Sequence, residues 1–485
     1  MTDLNFDYLL LTPEFILAGT ALLVILADLF RKELNIGRTV LPAIASLGLI
    51  AAGAVSLVWV DADDDFANLI SIDNFTTFFR VLFTAVALIV IVGGYEYIEK
   101  HIRHRGEFYA LLLLSTIGAI YMAAARELLT AYISIELLSF SLYVAVSLAK
   151  NDSRSSEAGL KYVLLGGVAS AMLLYGLSLI YGIAGSTQYA EIGAAFSEGT
   201  ADFSLSLVLA LTLIIGGLGF KASAVPFHMW TPDAYEGAPL PVTAYLSATS
   251  KAATFALLLR FFAGPLLPVI DDWQWIMASV AVLTMVFGNL IALQQTNIKR
   301  LLAYSSIGQV GYMLMALTTI SDASASALLV HIAGYLFTNL AVFSAVIAFH
   351  NRTGKEELDD FSGLGKTNPY LAVVLTGGLF SLAGMPLFAG FVTKFILFQA
   401  AASEGFLWLA TIAVIASTIS LYYYLQLIRR MYMVEPASDQ AERWRLSPAG
   451  YASTASMFAG MLFVGLYAGP LFTVADRAAR VLALN

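Results

Sequence analysis

Long apolar segments dominate this chain of 485 residues, of which 59% are hydrophobic and only 12% are charged. A bilayer span needs roughly 20 apolar residues, and helices satisfy their own backbone hydrogen bonds in lipid, whereas a barrel would show short alternating strands. The sequence therefore predicts an all-α polytopic membrane protein with about 14 transmembrane helices. The predicted spans cover residues 13–30, 39–60, 75–98, 107–124, 127–149, 158–184, 204–225, 239–263, 273–295, 299–318, 324–350, 369–402, 406–433 and 449–473.

Basic residues are distributed unevenly among the connections between these spans. Eighteen of the 26 lysines and arginines fall in odd-numbered connections, whereas the even-numbered side holds Arg80, Arg126 and Arg260 and is rich in acids. Because cytoplasmic connections carry an excess of Lys and Arg, the odd connections are predicted to be cytoplasmic and both termini to lie on the outer side. The eighteen are Arg31, Lys32, Arg38, Lys100, Arg103, Arg105, Lys150, Arg154, Lys161, Lys299, Arg300, Arg352, Lys355, Lys366, Arg429, Arg430, Arg443 and Arg445.

The composition excludes several kinds of site. The chain has no cysteine, so it cannot ligate an iron–sulfur cluster or a structural zinc ion through thiolates. Its formal net charge of −8 argues against nucleic acid as a partner. His101 and His104 form an HxxH pair in a basic connection with no acid at metal-ligand spacing, and they are predicted to be a solvated part of the loop rather than a metal site.

Four charged residues remain deep inside predicted spans: Glu136, Lys221, Lys251 and Lys394. A charge near the bilayer centre costs roughly 2.5–3.5 kcal/mol on insertion scales, and such residues usually mark an ion or proton path. Because burial makes the charged form of such a group costly, the group can change its protonation state, as a proton relay requires. The alternative is a buried ion pair that joins helices, but one carboxylate beside three lysines supplies more cation than such a pair needs.

Helix breakers accompany two of these lysines. Lys221 lies in GGLGFKASAVPFHMWTP beside Pro226, and Lys394 follows Gly384 and Pro386 in FSLAGMPLFAGFVTKF. Broken helices persist in lipid only where water or neighbouring helices satisfy the freed backbone groups, and at corresponding places in two halves they point to a transport site. We therefore predict that spans 7 and 12 are broken; a harmless proline kink is the alternative.

A constant step along the sequence indicates an internal repeat. Lys221 and Lys394 are 173 residues apart, and a step of 172 places YISIE, which ends at Glu136, on YSSIG, which ends at Gly308. Spans 4–8 and 9–13 are then two five-helix copies, and the odd number of helices inverts the second copy. We expect each copy to form a half-channel, with Lys251 between them. The predicted organisation is a three-helix segment over residues 1–106, repeats over 107–265 and 266–433, and a C-terminal loop and span over 434–485.

Three further residues are candidates for a relay. His228 follows the predicted break at Pro226, His331 lies in span 11, and Lys161 lies near the start of span 6. Histidine titrates near neutral pH and suits proton transfer. Each histidine is explained equally well as a neutral group hydrogen-bonded between helices, and Lys161 as a basic anchor at the membrane surface.

The stretch GGLGFKASAVPFHMWTPDAYEGAPLPVTAYLSATSKAATFALLLR, residues 216–260, resembles the core motif of the proton-conducting antiporter-like subunits of respiratory complex I. The resemblance extends over essentially the whole chain, and it is greatest to the N-type subunits of NADH-quinone oxidoreductase. Lys394 stands where M-type subunits carry glutamate, and span 11 reads GYLFTNLAVF, without the HAxFK pattern of the L and M types. We also expect no counterpart of the lateral helix and additional span of the L type.

The resemblance implies a role for individual residues. Glu136 and Lys221 match a glutamate–lysine pair that acts as a switch, Lys251 matches the central lysine, and Lys394 matches the residue at the outward exit. His228 matches the histidine after the broken seventh helix. Together these residues are expected to form a hydrated proton path at mid-membrane depth, coupled to quinone reduction elsewhere in the complex.

The same resemblance implies the surroundings of the chain. FMN, iron–sulfur clusters and quinone are expected in other subunits and no cofactor in this one. The expected partners are lipids and membrane-arm subunits of the M, K, J and L types, in a bacterial plasma (inner) membrane. A subunit of a multisubunit Na⁺/H⁺ antiporter is the alternative, because it shares the motif. A stand-alone solute transporter lacks an evident organic-substrate site here, and a purely structural subunit leaves the buried charges unexplained.

Overall fold

The computed structural model describes residues 7–31, 33, 37–198, 205–436 and 442–482. Within these residues, thirteen helices are long and apolar enough to cross a membrane. Two shorter apolar helices, Pro369–Ala383 and Ala389–Ser403, together cover the predicted span 12. The prediction of an all-α polytopic membrane protein with about fourteen spans is confirmed. Lys32, which we counted among the basic connections, and the outermost residues of both termini lie outside the described residues.

The structure is a bundle of helices joined by mostly short connections, and a π-helical turn, Leu246–Ser250, joins α10 to α11. The helices are α1 Thr12–Leu29, α2 Val40–Ser56, α3 Asn74–His101, α4 Arg105–Ala124, α5 Leu128–Val146, α6 Ser153–Ala184, α7 Tyr189–Ser197, α8 Leu205–Ala222, α9 Trp230–Gly237, α10 Leu240–Tyr245, α11 Lys251–Ala263, α12 Ile270–Ala292, α13 Ile298–Thr318, α14 Asp322–Thr353, α15 Leu364–Thr367, α16 Pro369–Ala383, α17 Ala389–Ser403, α18 Leu407–Met433, α19 Pro448–Leu466 and α20 Gly469–Arg480.

Three spans form the interior of the bundle. The apolar windows of α10–α11, α13 and α14 are 100%, 94% and 89% buried, whereas those of α18 and α19 are each 33% buried. Helices with an apolar surface on all sides belong in the interior or against lipid. Polar groups on α11, α13 and α14 are therefore enclosed by protein, which positions a polar path at the centre of the molecule.

Both predicted helix breaks are present: α8 is separated from α9, and α16 from α17. Gly384 ends α16 with φ 87°, a left-handed conformation that glycine adopts without steric cost. The two lysines lie on opposite sides of their breaks, since Lys221 precedes the first and Lys394 follows the second. An offset of 173 residues therefore aligns the two lysines in the sequence but does not align the two helix breaks.

Several short elements outside the spans were not predicted. They include an antiparallel hairpin of β1 Asp64–Phe66 and β2 Ile70–Ile72, and the helices α7 and α20. Predicted span 14 extended to residue 473, whereas α19 ends at Leu466. The chain turns there because Gly469 and Pro470 start α20, whose buried residues are the alanines Ala475, Ala478 and Ala479.

Two arginines that we assign to the even-numbered side are buried inside helices. Arg80 in α3 donates to both oxygens of Glu14 in α1, at 2.8 and 3.0 Å. Arg260 in α11 donates to both oxygens of Asp73, at 3.1 and 3.0 Å. Both arginines lie within the predicted spans 75–98 and 239–263, and a carboxylate far away in the sequence compensates each of them. Arg126 does lie in a connection, 3.1 Å from Asp65.

Candidate functional site

Lys221 is held by hydroxyl groups. Its side chain is buried at the end of α8 and donates to Ser139 Oγ and, over 3.0 Å, to Tyr143 Oη. The two acceptors are four residues apart on α5 and therefore share one face of that helix. The ammonium also lies 5.2 Å from the centre of the Tyr143 ring, within the range of a cation–π interaction.

Glu136 lies on α5, three residues before Ser139, and accepts a hydrogen bond of 2.5 Å from Ser170 Oγ in α6. Among the described residues, Lys221 has no carboxylate oxygen within 4.0 Å, so the implied Glu136–Lys221 pair is not a direct ion pair in this structure. Ser139 takes the intermediate position on α5, because it contacts Lys221 and lies about one helical turn from Glu136.

Lys251 is the first residue of α11 and lies at the centre of the bundle. Its buried ammonium donates to Ser306 Oγ of α13 and lies 5.5 Å from the centre of the Tyr235 ring in α9. Ser306 also donates to the carbonyl of Ala303 over 2.8 Å, so its oxygen is fixed between its own helix and Lys251. Lys251 thus joins α11, in the predicted first repeat, to α13, in the predicted second.

The π-helical turn directly before Lys251 is tied to α14. Asn339 Nδ2 donates to Ser247 Oγ over 2.6 Å, and Tyr335 Oη lies 3.4 Å from the Ser247 carbonyl. π-Helical turns disturb the regular pattern of backbone bonds and occur often at functional sites. We name these contacts of Tyr335 and Asn339 with Ser247 the α14 clasp; it sets where α11, and hence Lys251, begins.

Lys394 uses the end of a broken helix as its partner. Its ammonium donates over 2.7 Å to the carbonyl of Leu382, in the last turn of α16, and over 3.0 Å to Ser417 Oγ in α18. The last carbonyls of a helix lack intrahelical donors and carry partial negative charge, so they attract a cation. A side chain at Gly384 would come within 3.3 Å of Lys394 Cδ, a second reason for glycine at this break.

Helix α13 connects Lys251 with Lys394. Ser306 accepts from Lys251, Gln309 Nε2 donates over 3.0 Å to the Leu382 carbonyl that Lys394 also uses, and the Tyr312 ring centre lies 4.8 Å from the Lys394 ammonium. Residues three apart are neighbours on a helix surface. One polar stripe of α13 therefore extends from Lys251 to Lys394.

The two candidate histidines differ in their surroundings. His331 lies in α14, and its Nδ1 is 3.0 Å from the hydroxyl of Thr393, the residue before Lys394. His228 lies in the first break, near Tyr304 of α13, with a ring-centre distance of 6.5 Å. Both are buried, and His228 Nδ1 and His331 Nε2 have no hydrogen-bond partner among the described residues. The structure thus brings His331 to Lys394.

Lys161 is separate from this buried row. Its side chain is 45% exposed and pairs with Glu157 at 2.7 Å and Asp233 at 3.0 Å. Asp233 also pairs with Arg300, at 3.0 Å. The structure therefore places Lys161 in a surface network that links α6, α9 and α13, on the side where the basic connections lie.

The hydrogen-bond partners of the lysines were not found from the sequence. Ser139, Ser306 and Ser417 resemble many other span serines that bond only to their own helix, so the residue type gives no signal. Sequence position does give a signal for the partners of Lys221. Ser139 and Tyr143 follow Glu136 at intervals of three and seven residues, which is the spacing of one helix face.

Within the residues that the structure describes, no group of three or more His, Asp or Glu side chains is arranged to hold a metal ion. Of the HxxH pair, His101 is the last residue of α3 and is exposed, and His104 lies in the following connection, 3.1 Å from Glu107.

Comparison with known proteins identifies relatives of the chain. The family model described as NADH:quinone oxidoreductase/Mrp antiporter, TM, matches residues 125–420. The chain is 39% identical over 470 residues to the NADH-quinone oxidoreductase subunit N of Moorella thermoacetica, covering 97% of this chain and 98% of that protein. It is 40% identical over 476 residues to the NADH-quinone oxidoreductase subunit N 1 of Rhizobium meliloti, covering 96% of each chain.

Solved structures show the same fold. A chain of respiratory complex I from Thermus thermophilus with bound aureothin is 31% identical, with a TM-score of 0.79, and 95% of this chain and 99% of that chain are covered. A chain of the Mrp complex from Dietzia sp. DQ12-45-1b has a TM-score of 0.84 at 23% identity, covering 99% and 98%, which shows the fold alone. Because these relatives match the chain over nearly their whole length, this chain belongs to the family of NADH-quinone oxidoreductase subunit N.

Proposed function

We propose that this chain is a proton-translocating membrane-arm subunit of a complex I-type NADH:quinone oxidoreductase, in which Lys221, Lys251 and Lys394 carry protons. The observation that carries the proposal is the kind of partner they have. Each buried lysine is bonded to hydroxyl or carbonyl oxygen, and within the described part of the chain none has a carboxylate at ion-pair distance. Because a buried ammonium without counter-charge is costly, its charge responds to its neighbours.

Hydroxyl partners suit a group that changes its charge. A serine or tyrosine hydroxyl accepts from an ammonium and can rotate to donate to a neutral amine. The contacts of Lys221 with Ser139 and Tyr143, and of Lys251 with Ser306, therefore persist in both protonation states. A carboxylate partner would instead hold the lysine permanently charged.

The proposed route follows the polar contacts across the bundle. Glu136 and His228 lie at the Lys221 end, and His331 lies at the Lys394 end. The polar stripe of α13 connects Lys251 with Lys394. Buried polar atoms without protein partners are usually satisfied by water, so the unpartnered His228 Nδ1 and His331 Nε2 are positions for water along the route.

The repeat organisation belongs to the same proposal. We infer two five-helix units over residues 107–265 and 266–433, flanked by segments 1–106 and 434–485. The order of the elements supports them: in spans 4–8 and in spans 9–13, the fourth span is the broken one. Inverted repeats with broken helices at matching places are a known architecture for ion paths.

The proposal includes the environment of the chain. FMN, iron–sulfur clusters and quinone are assigned to other subunits, and the contact partners are lipids and membrane-arm subunits of the M, K, J and L types. The chain lies in a bacterial inner membrane, with its basic connections in the cytoplasm and both termini on the outer side, as the distribution of lysine and arginine favours.

Co-purification tests this function against the Na⁺/H⁺ antiporter alternative. The tagged native chain would be extracted in mild detergent, its partners identified by mass spectrometry, and the visible spectrum recorded. We expect a redox arm with flavin and iron–sulfur absorbance that reduces quinone. Recovery with small membrane partners alone, without a chromophore, would overturn the proposal and favour the antiporter, whose Dietzia relative has the same fold.

A further inference from the structure

A cavity of about 600 Å³ opens on the side of the protein that carries the basic connections. It lies among the connections that follow α3, α5, α9, α12 and α14, and we call it the vestibule. One water occupies roughly 30 Å³ of liquid, so a space of this size with polar walls holds many waters. None of the relay residues lines the vestibule, which therefore lies apart from the row of buried lysines.

Side-chain exposure falls stepwise from the vestibule into the protein. His101 is exposed, and its ring centre lies 5.7 Å from that of His350 at the end of α14. The side chains of His350 and Glu356 are 13% and 16% exposed, and that of Lys299 is only 5% exposed. Titratable groups thus continue from bulk water to the buried start of α13.

Glu356 connects the last two of these groups. One of its oxygens lies 3.4 Å from His350 Nδ1, and the other lies 3.0 Å from Lys299 Nζ. His350 Nδ1 is buried and forms no hydrogen bond among the described residues. This nitrogen therefore has capacity to exchange a proton with water or with the neighbouring carboxylate.

Lys299 lies on the same helix as Ser306, the hydrogen-bond partner of the central lysine, Lys251. It lies seven residues before Ser306 on α13, which is close to two helical turns, so both residues face the same side. The axial distance is about 10 Å at 1.5 Å per residue. Ser306 is the group that accepts the hydrogen bond of Lys251.

We propose that the vestibule collects protons and that His350, Glu356 and Lys299 pass them along α13 to Ser306 and Lys251. A water in the vestibule protonates His350, which passes this proton to the Glu356 carboxylate. The neutral carboxyl no longer holds the Lys299 ammonium, so Lys299 releases its own proton to water, which carries it over the distance of about 10 Å to Ser306. Ser306 takes this proton while giving its hydroxyl proton to neutral Lys251, and Lys299 recovers the proton on Glu356. One proton enters and one leaves in each cycle. This inference rests on the proposed proton-translocating function and adds an entry point to it.

The charged and titratable groups around His350 come from three elements. They are Tyr97 and His101 of α3, Lys299 of α13, and Lys355 and Glu356 of the connection after α14. Of these, only Glu356 approaches the imidazole within ion-pair distance in the described structure. A loss of pumping at alkaline pH that appears both when His350 and when Glu356 is replaced is therefore assigned to their contact.

The test is proton pumping by the assembled complex in sealed vesicles, recorded from mildly acidic to alkaline pH with and without added imidazole. In His350→Gln we expect normal pumping at acidic pH, a several-fold loss at alkaline pH where protons are scarce, and recovery with imidazole. Glu356→Gln should show the same alkaline loss, and it provides the test if the histidine variant does not assemble. His104→Gln is the matched control, because that side chain also lines the vestibule but pairs with Glu107 rather than with Glu356.

Two results would overturn the inference. One is pumping by His350→Gln and Glu356→Gln that equals wild type at every pH. The other is a loss that is uniform across pH and insensitive to imidazole, as a structural defect would produce. Failure of the proposed function itself is recognised separately, because Lys251→Met would then pump normally whatever the vestibule variants do.

Discussion

Lys251 is buried, and within the described part of the chain Ser306 is the one hydrogen-bond partner of its ammonium. We predict that Lys251→Met abolishes proton pumping by this subunit, because methionine has no proton to carry. Assembly and thermal stability should stay unchanged or rise slightly, since an apolar side chain of similar length removes a costly buried charge. The measurements are dye-detected proton uptake and the melting temperature of the purified complex. Lys366→Met is the control, because Lys366 is 59% exposed and pairs only with Glu435 at the surface; normal pumping by Lys251→Met would contradict the prediction.

The Arg80–Glu14 pair gives a second test at the scale of single residues. Both side chains are at most 2% exposed, so Glu14→Gln leaves a buried guanidinium without its counter-charge. We expect a loss of about 3–5 kcal/mol in the free energy of unfolding. The change is read as a lower denaturation temperature and lower yield of assembled complex. Asp476→Asn, which breaks an exposed pair with Arg480 at 2.9 Å, should cost at most about 1 kcal/mol. Equal effects of the two variants would count against the burial argument.

The burial of a charged residue could be predicted where no opposite charge lies nearby in the sequence. The buried positions of Lys221, Lys251 and Lys394 followed from apolar flanks alone. The two buried ion pairs were not predicted, because Arg80 meets Glu14 across 66 residues and Arg260 meets Asp73 across 187. No local pattern marks such a pair.

At the scale of elements, the α14 clasp sets the start of α11. Replacing Asn339 by leucine removes the donor to Ser247 Oγ, a bond of 2.6 Å, and leaves the π-helical turn less constrained. We predict that Asn339→Leu slows pumping several-fold without loss of quinone reduction or assembly, because Lys251 is no longer held against Ser306. Ser279→Ala is the control, since this exposed serine bonds only to its own helix, at Trp275. The prediction fails if the ratio of protons to electrons is the same in both variants.

Helix breaks were predictable from glycine and proline, but their geometry was not. Pro226 and Gly384 marked the right places. The sequence did not indicate that Lys221 ends one half-helix while Lys394 lies inside the next one, where the Leu382 carbonyl of the preceding half-helix becomes its partner. That contact depends on how two half-helices meet, which spacing along the chain does not specify. The hairpin and α7 were missed because they are short and lie outside the apolar spans.

At the scale of the whole molecule, hydropathy gives the number of spans, whereas packing decides which spans lie in the interior. The spans could be counted because lipid requires long apolar helices, and α18 and α19 keep most of their surface available to lipid or to neighbouring subunits. The interior spans α11, α13 and α14 were not distinguishable by hydropathy from those at the rim. Their central position results from packing, and it brings Ser306, Tyr335 and Asn339 around the start of α11.

The absence of cysteine from the chain makes its orientation directly measurable. Glu404, in the connection between α17 and α18, and Lys150, between α5 and α6, are both exposed and belong to sides predicted to be opposite. We predict that a membrane-impermeant maleimide labels Glu404→Cys in intact cells but labels Lys150→Cys only after the membrane is opened. The physical reason is that Lys and Arg are retained on the cytoplasmic side during insertion. Labelling of the unmodified chain serves as the blank, and the reverse pattern would place the basic connections, and with them the vestibule, on the outer side.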